Sequence, residues 1–362
     1  MRIPPAVPTP PSLTRRYGSS SEGRAWLASL PRLIEQSLHR WQVRPDLAPG
    51  ALPWNGHGAI VIPVRRAGRP GPGEATGFGH GETAVLKIAY PHDEALLEPQ
   101  ALALWEGNGA VRLLANDPDS GSLLLERLDA ERSLQDEPLD VAVPVWGGVV
   151  RRLSLPPEGR PEWHEFEHIA ARAEQWSDEL PESWERLGRP FPRWLLEAAL
   201  EVCQTRGAVG RRSGTDVLVH TDLHFLNILA RDDAPALPGP GGVTAGDFKA
   251  IDPQPMVGEA EFAVAPLLWN RLAELPRASP GEALLERCFD FSAAAGLDGE
   301  IARQWAVARE VENALWYAAK PSHGGDVARS LWVASTLAGN TLPGLPAPQE
   351  LPAPGQAVSH AG

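Results

Sequence analysis

The chain has 362 residues, of which 43% are hydrophobic, and a formal net charge of -13. That length suffices for two lobes with sizeable cores, and the acidic balance argues against a nucleic-acid partner, whose phosphates select basic surfaces. It suits a small cationic partner instead, although net charge also serves solubility alone.

In chain order, residues 1 to about 22 are rich in Pro and Ser and read as a disordered tail, because they offer too little apolar surface to offset ordering entropy. The prolines Pro4, Pro5, Pro8, Pro10 and Pro11 also interrupt any signal-peptide core, and no apolar run is long enough to span a bilayer, so a cytoplasmic protein without membrane contact is expected. Residues 23–125 read as a small N-lobe. It opens with a helix over Glu22 to Arg40, followed by the turn Trp54-Asn-Gly-His-Gly-Ala59 and the β-branched strand Ile60-Val-Ile-Pro-Val64. Gly56 and Gly58 would let backbone amides approach phosphate oxygens, although an ordinary hairpin turn has the same composition. After a Gly/Pro loop from Arg69 to His80, the run Ala84-Val-Leu-Lys-Ile88 places Lys87 inside an apolar strand, and a buried lysine must be paired unless its head reaches water at a strand edge. Its expected partner is Glu98, at the start of a helix that Pro99 would open, with Glu94 in reserve. The strand in Gly121-Ser-Leu-Leu-Leu-Glu-Arg-Leu128 then leads to backbone groups of Glu126 and Leu128 as candidate adenine contacts, a role that only its position suggests.

Residues 126–340 read as a larger, helical C-lobe with helices over Val141 to Leu155, Glu162 to Glu179, Arg193 to Thr205, Glu282 to Ala295 and Ile301 to Ala319. Trp163, Trp176, Trp184, Trp194, Trp305 and Trp316 read as core packing in preference to a sugar platform. Between these helices lies Val217-Leu-Val-His-Thr-Asp-Leu-His-Phe-Leu-Asn-Ile-Leu229, and thirty residues beyond Asp222 comes Ala250-Ile-Asp-Pro-Gln-Pro255. The run Ala234-Pro-Ala-Leu-Pro-Gly-Pro-Gly-Gly242 between them reads as an elongated hairpin turn. A carboxylate at Asp222 can orient an acceptor hydroxyl and take its proton. The oxygens of Asn227 and Asp252 suit Mg2+, a hard ion that bridges the phosphates of ATP. A competing reading takes His220, Asp222 and His224 as transition-metal ligands of a hydrolase. Glu310, Glu312 and Asn313 could bind amino or guanidino groups of an acceptor, or simply form a solvated helix face. Cys203 and Cys288 lack metal-like spacing, and residues 341–362 read as a second disordered tail.

The set of motifs, in this order, resembles the aminoglycoside phosphotransferase family and within it the group of streptomycin and hydroxyurea-resistance kinases. Beyond the loop itself, the segments Gly107-Asn-Gly-Ala-Val-Arg-Leu-Leu114, Leu123-Leu-Leu-Glu-Arg-Leu-Asp129, Leu180-Pro-Glu-Ser-Trp-Glu-Arg-Leu-Gly188 and Ala250-Ile-Asp-Pro-Gln-Pro-Met-Val-Gly258 carry the likeness, which spans about residues 50 to 335. The resemblance implies an α+β, protein-kinase-like fold of two lobes, the smaller a mostly antiparallel sheet and the larger helical. It also implies a kinase using ATP and Mg2+ on an aminoglycoside hydroxyl, and a monomer is expected. Asp222 would be the catalytic base, Asn227 and Asp252 the metal ligands, Lys87 the phosphate-binding lysine and Glu98 its partner. Four positions depart from the family pattern: Thr221 stands in place of glycine, Phe225-Leu226 in place of Pro-Gly, and Ala263 in place of an aspartate that anchors the loop.

Overall fold

The computed structural model describes residues 7–56, 58–67, 82–91, 93–157, 159–207, 215–234 and 244–352. The loop read from Arg69 to His80 and the turn at 235–242 lie outside the described residues. Two compact units divide the chain, Met1–Ala130 with Ala230–Ala234 and Glu131–Leu229 with Pro235–Gly362.

The first unit is built on a six-stranded antiparallel sheet in the order Val43–Pro45, Ala59–Arg66, Thr83–Ala89, Ser122–Glu126, Leu113–Asp117, with Trp54–Asn55 paired to Ala59–Arg66. Strand alternation sorts its side chains. Ile60, Ile62 and Val64 lie directly opposite Ile88, Leu86 and Ala84, and all six are fully buried in one cluster with Trp26, Leu30, Ile34 and Leu38 of the helix Ser21–Arg40. Lys87, one step out of phase, sits opposite Val61 and therefore belongs to the other face of the sheet.

Two sequence expectations for this unit are corrected. Residues before 23 do not form a featureless tail: Pro11–Tyr17 is a helix, Leu13 is fully buried in the cluster, and Tyr17 stacks on Tyr90 at 4.5 Å. One leucine and one tyrosine supply enough apolar contact to dock the segment despite its low overall hydrophobicity. The helix carrying Glu98 spans Asp93–Trp105, so Pro99 lies within it and does not open it. The backbone bond lost at Pro99 is offset by complete burial of Ala101, Leu102 and Trp105 just beyond.

The second unit is mainly helical, with helices Leu139–Leu153, Ile169–Arg186, Arg193–Arg206, Pro280–Ala295, Gly299–Ala318 and Gly324–Leu337. The second of these starts later than expected. Pro161–Glu165 forms a separate short 3-10 turn, and the ring of His168 caps the helix by accepting from the Ala170 N–H at 3.1 Å. Trp163, Trp176, Trp184 and Trp305 are buried as expected, but Trp194 is half-buried and Trp316 is 49% exposed. Residues 341–352 also depart from the expected tail. Gln349 donates to the Leu275 carbonyl at 2.7 Å and Arg329 to the Pro352 carbonyl at 2.9 Å, which ties this segment to the unit. Both cysteines are buried free thiols, and burial pushes each up to about 12. Among the described residues, no helix is long and apolar enough to cross a membrane.

Docking of the first helix through Leu13 can be measured directly. Leu13→Ala should lower the unfolding free energy by about 2 to 5 kcal/mol, the usual cost of truncating a buried leucine. An unchanged denaturation midpoint would show that this helix contributes nothing to the core.

Candidate active site

In the first unit, the ammonium of Lys87 donates to both carboxylate oxygens of Glu98, at 2.7 and 2.6 Å, with the residues 7% and 3% exposed. Glu98 is thus a partner of this lysine, as its position on the adjoining helix suggested; the side chain of Glu94 lies outside the described residues. The glycine turn is a hairpin in its local geometry. Trp54 pairs with Val61 and Asn55 with Ile60, while the Gly56 N–H donates to the Ala59 carbonyl at 3.2 Å and the Gly58 carbonyl accepts from Tyr90 at 2.7 Å. The Gly56 amide is therefore turned into the hairpin. At the end of the strand Ser122–Glu126, the Glu126 N–H donates to the Arg112 carbonyl at 2.9 Å, which confines any adenine contact of this backbone unit to its carbonyl. Leu128 is buried and begins the strand Leu128–Ser133.

The second unit assembles Asp222, Asn227 and Asp252 through backbone pairing. Strand Val217–His220 runs antiparallel to Pro255–Gly258, with His220 opposite Pro255. The chain then leaves both strands at the same end, and the two departing segments are laced together. Thr221 donates to the Gln254 carbonyl from its N–H at 3.1 Å and from its hydroxyl at 2.8 Å, and the Ile251 N–H donates to the Asn227 carbonyl at 2.9 Å. Within this knot the Asn227 side-chain amide donates to the Asp222 carbonyl at 2.9 Å and to its carboxylate at 3.3 Å. With the amide nitrogen so engaged, the amide oxygen of Asn227 is turned the other way, where a hard cation could use it. Asp252 has φ of 52°, a left-handed conformation that a residue with a Cβ rarely adopts and that recurs at ligand clamps. A carboxylate and an amide oxygen form a donor set that fits Mg2+.

The hydrolase reading of the histidines fails on hydrogen bonding. Nδ1 of His220 accepts from the Asp222 N–H at 3.3 Å, so Nε2 carries the proton and donates to the Ile251 carbonyl at 2.9 Å. Both ring nitrogens are committed, and burial pushes His220 down to about 4, partly opposed by its bond to Ile251. It is a neutral brace of the loop. His224 packs edge-on against Trp269, and its Nε2 lies 3.6 Å from the Asp222 carboxylate. Among the described residues there is no cluster of three or more metal-ligating side chains.

The three acceptor candidates separate. Glu310 is fully buried and accepts from Asn313 at 3.0 Å, so it is neither a solvated face nor positioned to touch an acceptor. Glu312 is half-buried, and burial raises its carboxyl above the usual range. Asn313 serves Glu310.

With this geometry in view, comparison with known proteins is decisive. Residues 40–320 match the model of the aminoglycoside/hydroxyurea antibiotic resistance kinases. The chain belongs to that family. It is 33% identical to the streptomycin 6-kinase of Streptomyces glaucescens over 86% of this chain and 90% of that protein. It is 34% identical to the hydroxyurea phosphotransferase of Kitasatospora aureofaciens over 83% of this chain and 76% of that protein. Among solved structures, the GDP complex of an aminoglycoside 2'-phosphotransferase superposes with a TM-score of 0.52 at 11% identity, covering 85% of this chain and 97% of that one. A choline kinase from Streptococcus pneumoniae gives 0.50 at 13% identity, covering 86% and 99%. These structural likenesses show the fold, which is protein-kinase-like, with an antiparallel sheet in the N-lobe and helices in the C-lobe. As a member of this kinase family the chain is a phosphotransferase with an alcohol group as acceptor.

Sequence reading missed two props of the kinase loop. Trp146 donates from its indole to the Leu223 carbonyl at 3.0 Å, and Arg309 donates to the Thr221 carbonyl. Neither leaves a local signal, since each acts from a helix far away in sequence. Arg309 directly precedes Glu310 in the chain.

Burial of Glu310 gives this kinase a measurable pH dependence. Its carboxyl is pushed up to about 7 by burial, opposed in part by Ser330, Arg309, Asn313 and Arg329. The folded state therefore keeps a proton that the unfolded chain loses above its ordinary value of 4.5. This contribution to stability is full below 4.5 and is lost as pH rises through about 7. Glu310→Gln does not titrate, so between pH 4.5 and 8 it should gain on the wild type by about 3 kcal/mol, since each tenfold difference in proton affinity between folded and unfolded chain is worth about 1.36 kcal/mol. Chemical denaturation at both pH values checks this, and a constant difference would contradict a neutral buried Glu310.

Proposed function

We propose that this protein is an ATP- and Mg2+-dependent kinase that transfers the γ-phosphate to a hydroxyl of an aminoglycoside, with streptomycin the leading acceptor. The observation that carries the reading is the knot joining Asp222, Asn227 and Asp252. It groups a candidate base with two oxygen ligands suited to Mg2+ in one unit of backbone bonds. Identity of 33% to a streptomycin 6-kinase over most of both chains supports streptomycin, and the net charge of -13 suits a polycationic acceptor. Identity of 34% to a hydroxyurea phosphotransferase keeps hydroxyurea on the panel of acceptors.

In this reading Asp222 orients the acceptor hydroxyl and receives its proton on the carboxylate as the oxygen attacks phosphorus. The bond from Asn227 at 3.3 Å holds one carboxylate oxygen, leaving the other to face the hydroxyl. Mg2+, held by Asn227 and Asp252, would neutralise charge on the transferred phosphate and the ADP leaving group. Lys87 binds phosphate oxygens, and Glu98, bonded to its ammonium through both oxygens, fixes where that charge sits. The adenine is assigned to the Glu126 carbonyl and the Leu128 backbone, and the phosphate loop to Gly58, with Gly56, whose N–H donates to the Ala59 carbonyl, shaping the turn; Glu312 is the remaining carboxylate for a cationic group of the acceptor.

An ADP-release assay with Mg-ATP against streptomycin, other aminoglycosides and hydroxyurea tests the acceptor. Turnover with none of them would remove the aminoglycoside reading while leaving family membership intact. Asp222→Ala should lower turnover by about 10² to 10⁴, the usual worth of a positioned acid or base, with nucleotide affinity retained; undiminished activity would rule out this base. Asp252→Ala should instead weaken binding of Mg-nucleotide in a calorimetric titration. Equal affinities for variant and wild type would remove Asp252 from the metal site.

A further inference from the structure

We propose that Arg309 is a positioning residue for the catalytic carboxylate, acting from the helix Gly299–Ala318 as a clamp on the Thr221–Asp222 peptide. The inference rests on the assignment of Asp222 as base. That peptide is the last rigid plane before the Asp222 side chain, so its orientation sets where the carboxylate points. Its carbonyl accepts from the Arg309 guanidinium, and its N–H donates to Nδ1 of His220 at 3.3 Å. Both polar groups of one peptide plane are thus taken by side chains, one from each side of the loop. The next carbonyl, of Asp222 itself, accepts from Asn227 at 2.9 Å, which fixes the plane that follows.

The clamp is itself held. The guanidinium of Arg309 lies over the ring of Phe262 at 5.1 Å, and Phe262 is buried against Trp305 at 5.3 Å between ring centres. Arginine suits this task because its planar fork can lie on an aromatic face while still donating at its edge, which a lysine ammonium does less well. Ala263, beside His220 and Leu223, carries no polar group that could hold the loop from that side. The anchor therefore comes from a helix almost ninety residues downstream.

Arg309→Met keeps most of the packing on Phe262 and removes the donor. It should lower kcat with streptomycin by about 10 to 100-fold, the cost of a small misplacement of a reacting group, with KM for ATP and the thermal midpoint close to wild type. In Arg309→Ala, millimolar guanidinium should restore part of the lost kcat, which a merely structural role would not allow. Amide hydrogen exchange should quicken in peptides covering 220–227 and stay unchanged in 280–295. Wild-type kcat in Arg309→Met, or a loss in KM alone, would overturn the proposal, as would unchanged exchange in 220–227. If Arg309→Met does not fold, Arg309→Lys is read by the same criteria. Asp222→Ala in the same assay separates the two ideas. Activity surviving in that variant would refute the assignment of the base, whereas its loss beside a fully active Arg309→Met would refute only the clamp.

Discussion

Antiparallel pairing of Val217–His220 with Pro255–Gly258 is the constraint on which the candidate active site depends. Two segments thirty residues apart in sequence leave that pair at the same end, and their backbones must find partners where no regular strand continues. They find them in one another: Thr221 with Gln254, Asn227 with Ile251, and the His220 ring with the Ile251 carbonyl. Asp222, Asn227 and Asp252 are brought together as a by-product of satisfying buried backbone groups. Asp252 bears a positive φ within this arrangement, a local cost that the surrounding bonds outweigh.

A second theme is how the chain handles buried charge. Lys87 and Glu98 neutralise one another within hydrogen-bond distance, and Glu259, 1% exposed, accepts from Arg206 at 3.3 Å and from the Trp305 indole at 2.8 Å. Glu310 takes the other route and holds a proton, because desolvation disfavours its charged form more than the neighbouring cations favour it. His220 behaves similarly in the opposite sense, remaining neutral so that its ring can accept on one side and donate on the other. Around the loop, the neutral His220 ring braces the backbone on both sides.

The fold and the grouping of the candidate site were legible where a short window of sequence carries its own physical requirement. An apolar strand with one lysine demanded a carboxylate partner, and Glu98 supplies it. The spacing from Asp222 to Asn227 spans a single tight turn at Phe225–Asn227, so the contact between the two side chains is a local one. Legibility failed where a distant contact decided the outcome. Leu13 and Gln349 convert segments of disordered composition into docked structure, and packing beyond Pro99 extends a helix through a residue that ordinarily ends one. Glu310 and Glu312, two residues apart, differ in fate because the helix rotates one into the core between its neighbours and leaves the other at its margin.

The sequence by itself determined the proposed chemistry, because the candidate base, oxygen ligands and lysine are named by residue identity and local spacing. It also determined the sheet and most helices, whose periodicities are local properties of the chain. Only the tertiary structure decided which of the nearby polar groups are committed to holding the loop or the core. His220 became a brace, Glu310 a protonated core residue, and Arg309 a clamp because burial and hydrogen-bond partners are set by elements remote in sequence. A side chain's protonation and orientation follow from what surrounds it, and that is settled by folding.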